Sequence, residues 1–154
     1  MGGERHSAIG QSVAHFNDIS SWYVEREAAS SKEAYTDPKT SASNRVVTLV
    51  LGHSRPKARS KVYERFCSIC VHLRRLHNYS TLCAITAGLD NFAVRRLSAT
   101  RQLVRPMYET DLRTFLELVN PQASYSLYRA ALKQDGLLGN KAIPFLQVPG
   151  NTVP

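Results

Sequence analysis

The stretch that most constrains this chain is KARSKVYERFCSICVHLRRLHNYSTLCAITAGLDNFAVRRL, residues 57–97. Val62, Phe66, Ile69, Leu73 and Leu76 recur three or four residues apart, the period that stacks side chains on one helix face. Lys61, Glu64, Arg65, Arg74 and Arg75 take much of the other face. The pattern predicts an amphipathic helix from about Lys57 to His77. Asn78 is a stop signal, and Asn78 or Ser80 can cap a following helix. Leu82, Ile85 and Leu89 form that helix's stripe, which is expected to end near Gly88. Two core-facing stripes meeting at a capped turn predict antiparallel neighbours, and so an all-α fold, an irregular helical bundle.

The flanks are less regular. Residues 1–11 are polar and Gly-containing, a disordered start. From Ser12 to Ala29, Val13, Phe16, Ile19 or Ser20, and Tyr23 or Val24 predict a first helix. The pattern breaks from Ser30 to Arg59, which reads as an insertion with a turn at Asp37-Pro38. Inside it, the β-branched run RVVTLVLGH, Arg45–His53, suits a short strand or an apolar plug closed by Gly52, Ser54 and Pro56. NFAVRRLSATRQLV is expected to be irregular. A helix from about Pro106 to Val119 carries Leu112, Phe115, Leu116 and Val119, with Pro where the missing donor costs nothing. After Asn120-Pro121, a helix from about Gln122 to Lys133 carries Tyr125, Tyr128 and Leu132. The remainder, DGLLGNKAIPFLQVPGNTVP, is loop-like.

Composition narrows the function classes. Lys and Arg total 20 against 12 Asp and Glu, a net charge of +8. The cations are spread over many segments without an aromatic-flanked basic stripe, which reads as a solvated surface rather than a nucleic-acid site. Cys67, Cys70 and Cys83 are odd in number and lie in apolar patterns, as reduced intracellular thiols do. The first twenty residues hold no apolar core segment, so no signal peptide is read there. No apolar stretch is long enough to cross a bilayer. Met1-Gly2-Gly3 suggests N-myristoylation, but His6 stands where Ser or Thr is wanted. Cys67, Cys70, His72 and His77 do not match zinc-finger spacings. No GxSxG, HExxH or P-loop occurs. Asp90, Glu109, Asp111 and Glu117 are isolated acids suited to helix surfaces and helix starts. These residues imply a helical domain without a metal or cofactor and without a small-molecule substrate.

Five stretches, taken in order, resemble the catalytic domain of Ras-type guanine-nucleotide exchange factors of the Son-of-sevenless kind. HFNDISSW, residues 15–22, resembles that family's Phe-Asn, Ser, Trp helix. Residues 57–89 resemble its long helix, Asn-aromatic turn and helix ending in Gly-Leu. VRRLSAT resembles its Arg-Leu element. YSLYRAAL, Tyr125–Leu132, and IPFL, Ile143–Leu146, resemble its Tyr-Arg helix and Ile-Pro-Phe segment. The resemblance implies a helical domain that binds a Ras-like small GTPase around switch II and promotes GDP release without covalent chemistry. It implies a cytoplasmic location, with membrane proximity at the inner face of the plasma membrane through the GTPase only. It also implies GTPase-binding residues: Cys83, Asp90, Arg95, Tyr125 and Phe145.

The resemblance covers about residues 12–148, with 149–154 as a tail. Gln147-Val148-Pro149 follows the Ile-Pro-Phe segment where the family continues into a helical hairpin that displaces switch I. Further helices precede the Phe-Asn motif in the family, and Asp90 stands where Asn is common. The expectation is an incomplete exchange-factor domain, inactive as an isolated chain, with a truncated or misassembled coding sequence as one account of both the insertion and the tail. The alternative is a non-catalytic helical module that binds a GTPase or another protein.

Overall fold

The computed structural model describes residues 38–145. The start at 1–11, the helix expected over Ser12–Ala29 with its Phe-Asn motif, and the tail at 149–154 lie outside the described residues. Among the described residues every regular element is helical. The order is α1 Pro38–Leu51, α2 Pro56–Arg75, α3 Tyr79–Leu89, α4 Phe92–Arg95, α5 Ser98–Arg101, α6 Pro106–Leu118, a 3-10 turn Gln122–Tyr125, and α7 Ser126–Leu137.

Helix α2 is the spine. It starts on Pro56 and buries Tyr63, Phe66, Cys67, Ile69, Cys70 and Leu73. It packs against α3, α6 and α5. The buried face is rotated from the expected stripe. Leu76, the C-cap residue, is 61% exposed. Glu64, expected on the solvated face, is buried, where its carboxylate accepts from the backbone N–H of Arg105 at 3.1 Å and its Nε at 3.2 Å. Burial alone would raise its pKa; those hydrogen bonds and the Arg105 charge outweigh it and hold the carboxyl below its ordinary value. Cys67 and Cys70 are free and buried, and burial pushes the Cys67 thiol up to about 12. They act as small core side chains.

The turn after α2 forms as the sequence predicts. Asn78 accepts from Thr81 N–H at 3.1 Å, the N-cap bond of α3. His77 before it takes a positive φ of 55°.

The Arg45–His53 stretch is not a strand. It belongs to α1, which packs chiefly along α3. Val46 and Val50, one turn apart, are both fully buried. Thr48 returns its hydroxyl to Asn44 O at 2.9 Å. The β-branched composition carries only a weak preference, and burying a Val stripe against a neighbouring helix overrides it. Gly88 makes that approach possible: a Cβ there would lie 2.6 Å from Val46 Cβ and 2.7 Å from Ser43 O. Gly88 is therefore a packing glycine within α3 rather than its terminator.

Elsewhere the corrections are smaller. The segment expected to be irregular forms the single-turn helices α4 and α5. The last helix starts later and runs on to Leu137, so Asp135 is helical and buried. No described helix is long and apolar enough to cross a membrane.

Candidate functional site: a groove between α3, α6 and the Tyr125–Phe145 pair

The end of α3 and the end of α6 diverge around a groove of about 390 Å³. Cys83, Thr86, Ala87 and Asp90 line it on one side, and Leu116, Val119, Asn120 and Pro121 on the other. Tyr125 and Phe145 complete it. Four of the five residues singled out by the resemblance therefore meet here. The fifth, Arg95, stands beside the groove, its Nε 3.7 Å from Asp90 Oδ1. That pair is open to solvent, with side-chain exposures of 61% and 44%, so it contributes little to folding.

The α3 wall follows from helical spacing. Cys83 and Ala87 are one turn apart, and Thr86 and Asp90 likewise. Cys83 is buried, with its small size leaving room above it. Thr86 is fully buried and donates to the carbonyls of Leu82 and Cys83 at 2.8 and 3.0 Å, so its polar atom is satisfied within the helix. Asp90 is the C-cap residue of α3, the end where a negative charge gains nothing from the helix dipole.

Tyr125 is held by unusual backbone. Ser124 and Tyr125 both take positive φ, 54° and 57°. A bulky residue enters this region only under constraint. Here the constraint is the change from the 3-10 turn into α7 at Tyr125, with Arg129 Nη2 hydrogen-bonded to Ser124 O.

Phe145 is held by a relay of contacts. Its ring meets Tyr125 edge-on at 6.1 Å and Tyr128 at 6.5 Å, and Tyr128 meets Tyr79 at 5.2 Å. Its N–H donates to Tyr128 Oη at 2.8 Å. Two residues earlier, Ile143 is clamped to the α2–α3 turn. Its N–H donates to His77 O at 2.9 Å, and its carbonyl accepts from Tyr79 N–H at 3.0 Å. The same turn is tied to α7 through Asp135. That carboxylate accepts from Tyr79 Oη, lies 2.9 Å from His77 Nδ1, and faces Arg74 at 3.7 Å. Burial disfavours its charge, but the Tyr79 hydrogen bond, the His77 contact and the Arg74 charge outweigh burial and lower its pKa. Burial and the Asp135 hydrogen bond raise the Tyr79 phenol in turn.

Sequence reasoning missed most of this support. Asn120-Pro121 reads as a helix stop and gives no hint that it forms a wall. Asp135 falls where a loop is expected. The positive φ at Tyr125 has no local signal, since no Gly or Asn marks it. Chemically, the groove is an apolar slot with one carboxylate and one guanidinium at its rim. It is suited to receive side chains of another protein. Among the described residues no group of three or more His, Cys, Asp or Glu side chains converges as a metal site.

The RasGEF domain family model matches residues 2–151. The chain belongs to the RasGEF domain family. Ras guanine nucleotide exchange factor K of Dictyostelium discoideum is 32% identical over 133 residues, 86% of this chain and 7% of that protein. Ras guanine nucleotide exchange factor A of the same organism is 35% identical over 100 residues, 63% of this chain and 16% of that protein. RAS guanyl-releasing protein 4 of Bos taurus is 33% identical over 89 residues, 58% of this chain and 13% of that protein. The chain thus spans a small part of the length of these RasGEF relatives.

Proposed function

We propose that this RasGEF-family chain takes part in guanine-nucleotide exchange on a Ras-like small GTPase, in the manner of the Son-of-sevenless kind. The supporting observation is the groove that gathers Cys83, Asp90, Tyr125 and Phe145 beside Arg95. On this reading the groove receives the switch II region. Tyr125 and Phe145 supply apolar anchor surface, Cys83 leaves depth for an inserted side chain, and Asp90 and Arg95 set register through polar contacts at the rim. The physical basis of exchange is linkage. A partner that prefers the nucleotide-free GTPase weakens nucleotide binding, and the nucleotide weakens the partner in return. A cytoplasmic site of action, at the inner face of the plasma membrane, goes with this reading.

The test is release of a fluorescent guanine nucleotide from Ras, Rap and Ral GTPases with the purified chain in excess. Acceleration that Phe145→Ala removes supports the reading. Binding without acceleration favours a non-catalytic interaction module, and no binding to any of the three overturns both.

A further inference from the structure

A second surface feature lies at the end of the bundle where α1 passes into α2, and it combines partly exposed leucines with exposed basic residues. Leu49 and Leu51 are each 40% exposed on the last turn of α1. His53, Arg55 and Lys57 follow at every second position, and all three are exposed. From Pro38 to Tyr63 the sequence contains no Asp or Glu. Arg59 fixes this corner: its Nε donates to Thr100 Oγ1 at 3.0 Å and its Nη1 to His53 O at 3.4 Å, so the connection is held against α5.

The placement of Arg55 and Lys57 works against the helix they begin. The first turn of α2 has no acidic residue, and Arg55 at the N-cap makes no side-chain capping bond. The N-terminal end of a helix carries the positive end of its dipole, so Arg55 and Lys57 there are unfavourable for α2 where Asp, Ser or Glu would be favourable. Folding therefore does not account for them. The Leu pair next to them is also more exposed than the core requires. Partly exposed Leu beside exposed Arg and Lys, in a stretch of sequence without Asp or Glu, match the interfacial region of a bilayer with anionic headgroups: Leu enters the acyl boundary while Arg and Lys meet phosphate and carboxylate.

We propose that the α1–α2 corner docks directly on an anionic lipid surface, through Leu49, Leu51, Arg55 and Lys57, without a GTPase as intermediary. Two partly exposed leucines and two exposed cations, without a shaped pocket, fit a lipid surface better than a protein partner.

The experiment is co-sedimentation of the full chain with vesicles of phosphatidylcholine containing phosphatidylserine, and with vesicles of phosphatidylcholine alone, in the absence of any GTPase. Binding to the anionic vesicles is expected, weakening as salt is raised. The double variant Arg55→Glu with Lys57→Glu is expected to bind at least roughly thirtyfold more weakly, about fivefold for each cation lost. Acidic residues at this position favour the helix, so its helicity by circular dichroism is expected to be retained or raised, which separates lost docking from lost folding. Leu49→Ser with Leu51→Ser, which leaves the charge unchanged, is expected to weaken binding as well. Equal binding to both vesicle types, unchanged binding of either double variant, or no binding of the unaltered chain overturns the proposal.

Discussion

At the scale of single residues, Asp135 does more for the site than its distance from the groove suggests. Its carboxylate joins α7 to the α2–α3 turn through Tyr79 and His77, and that turn clamps the segment leading to Phe145. Its folded pKa lies below the ordinary value. Its contribution to stability is therefore fully present above the unfolded carboxyl pKa of about 3.9 and is lost as pH falls through the lower folded value. Asp135→Asn is expected to destabilise the chain at neutral pH by roughly 1–3 kcal/mol, since it leaves the Tyr79 donor with a poorer acceptor and removes the charge that faces His77 and Arg74. The loss is expected to shrink as pH falls from about 4, where the carboxyl of the unfolded parent chain protonates, down through the lower folded value. Urea unfolding of both chains across that range checks it, and a constant difference at every pH would refute the role of the charge. Tyr125 and Phe145 carry the second residue-scale prediction. Either change to Ala is expected to cost upwards of about 2 kcal/mol in binding to a Ras-like GTPase, as truncated aromatic anchors do. Arg95→Ala, at the exposed rim, is expected to slow association and flatten its salt dependence with little change in dissociation. Surface plasmon resonance at several salt concentrations separates the two kinds of effect.

At the scale of elements, the contact between α1 and α3 decides whether the α3 wall of the groove is in place. Gly88→Ala puts a Cβ within 2.6 Å of Val46 Cβ and 2.7 Å of Ser43 O, and the latter is backbone that cannot rotate away. Overpacking of this kind is expected to cost roughly 1–3 kcal/mol, read as a lower melting temperature. Gly52→Ala, where a Cβ meets Thr48 O at 3.0 Å at the exposed end of α1, is expected to cost less. The sequence makes the α2–Asn78–α3 unit legible because helical period and cap chemistry are both local. It makes α1 illegible because Val46, Val47 and Val50 follow β propensity until α3 is there to pack against. The glycine at position 88 looks like a stop for the same reason: its role depends on Val46 and Ser43, over forty residues away in sequence. Of the site, Cys83, Asp90, Tyr125 and Phe145 are reachable through family resemblance alone. Their meeting in one groove depends on the positive-φ turn at Ser124-Tyr125 and on the Ile143 clamp, both of them consequences of tertiary contact.

For the molecule as a whole, a RasGEF-family chain with an apolar groove gives exchange a thermodynamic signature. If the chain promotes nucleotide release, it must bind the nucleotide-free GTPase more tightly than the GDP-loaded form, and the ratio of those two affinities must equal the factor by which it lowers GDP affinity. Coupling of about 1–3 kcal/mol, five- to 150-fold, is the usual scale for linked sites. A chain with equal affinity for both forms shifts nothing, however tightly it binds. Isothermal titration of the chain into a Ras-like GTPase, once stripped of nucleotide and once loaded with GDP, measures the ratio directly. On the exchange reading a preference for the stripped form is expected, whereas the inactive isolated chain expected from the sequence would bind both forms alike; on either, Phe145→Ala is expected to weaken binding to both forms, because the groove anchors the complex. Equal affinities, with the Phe145 effect intact, would leave the groove as a GTPase-docking surface and remove exchange from what this chain does by itself.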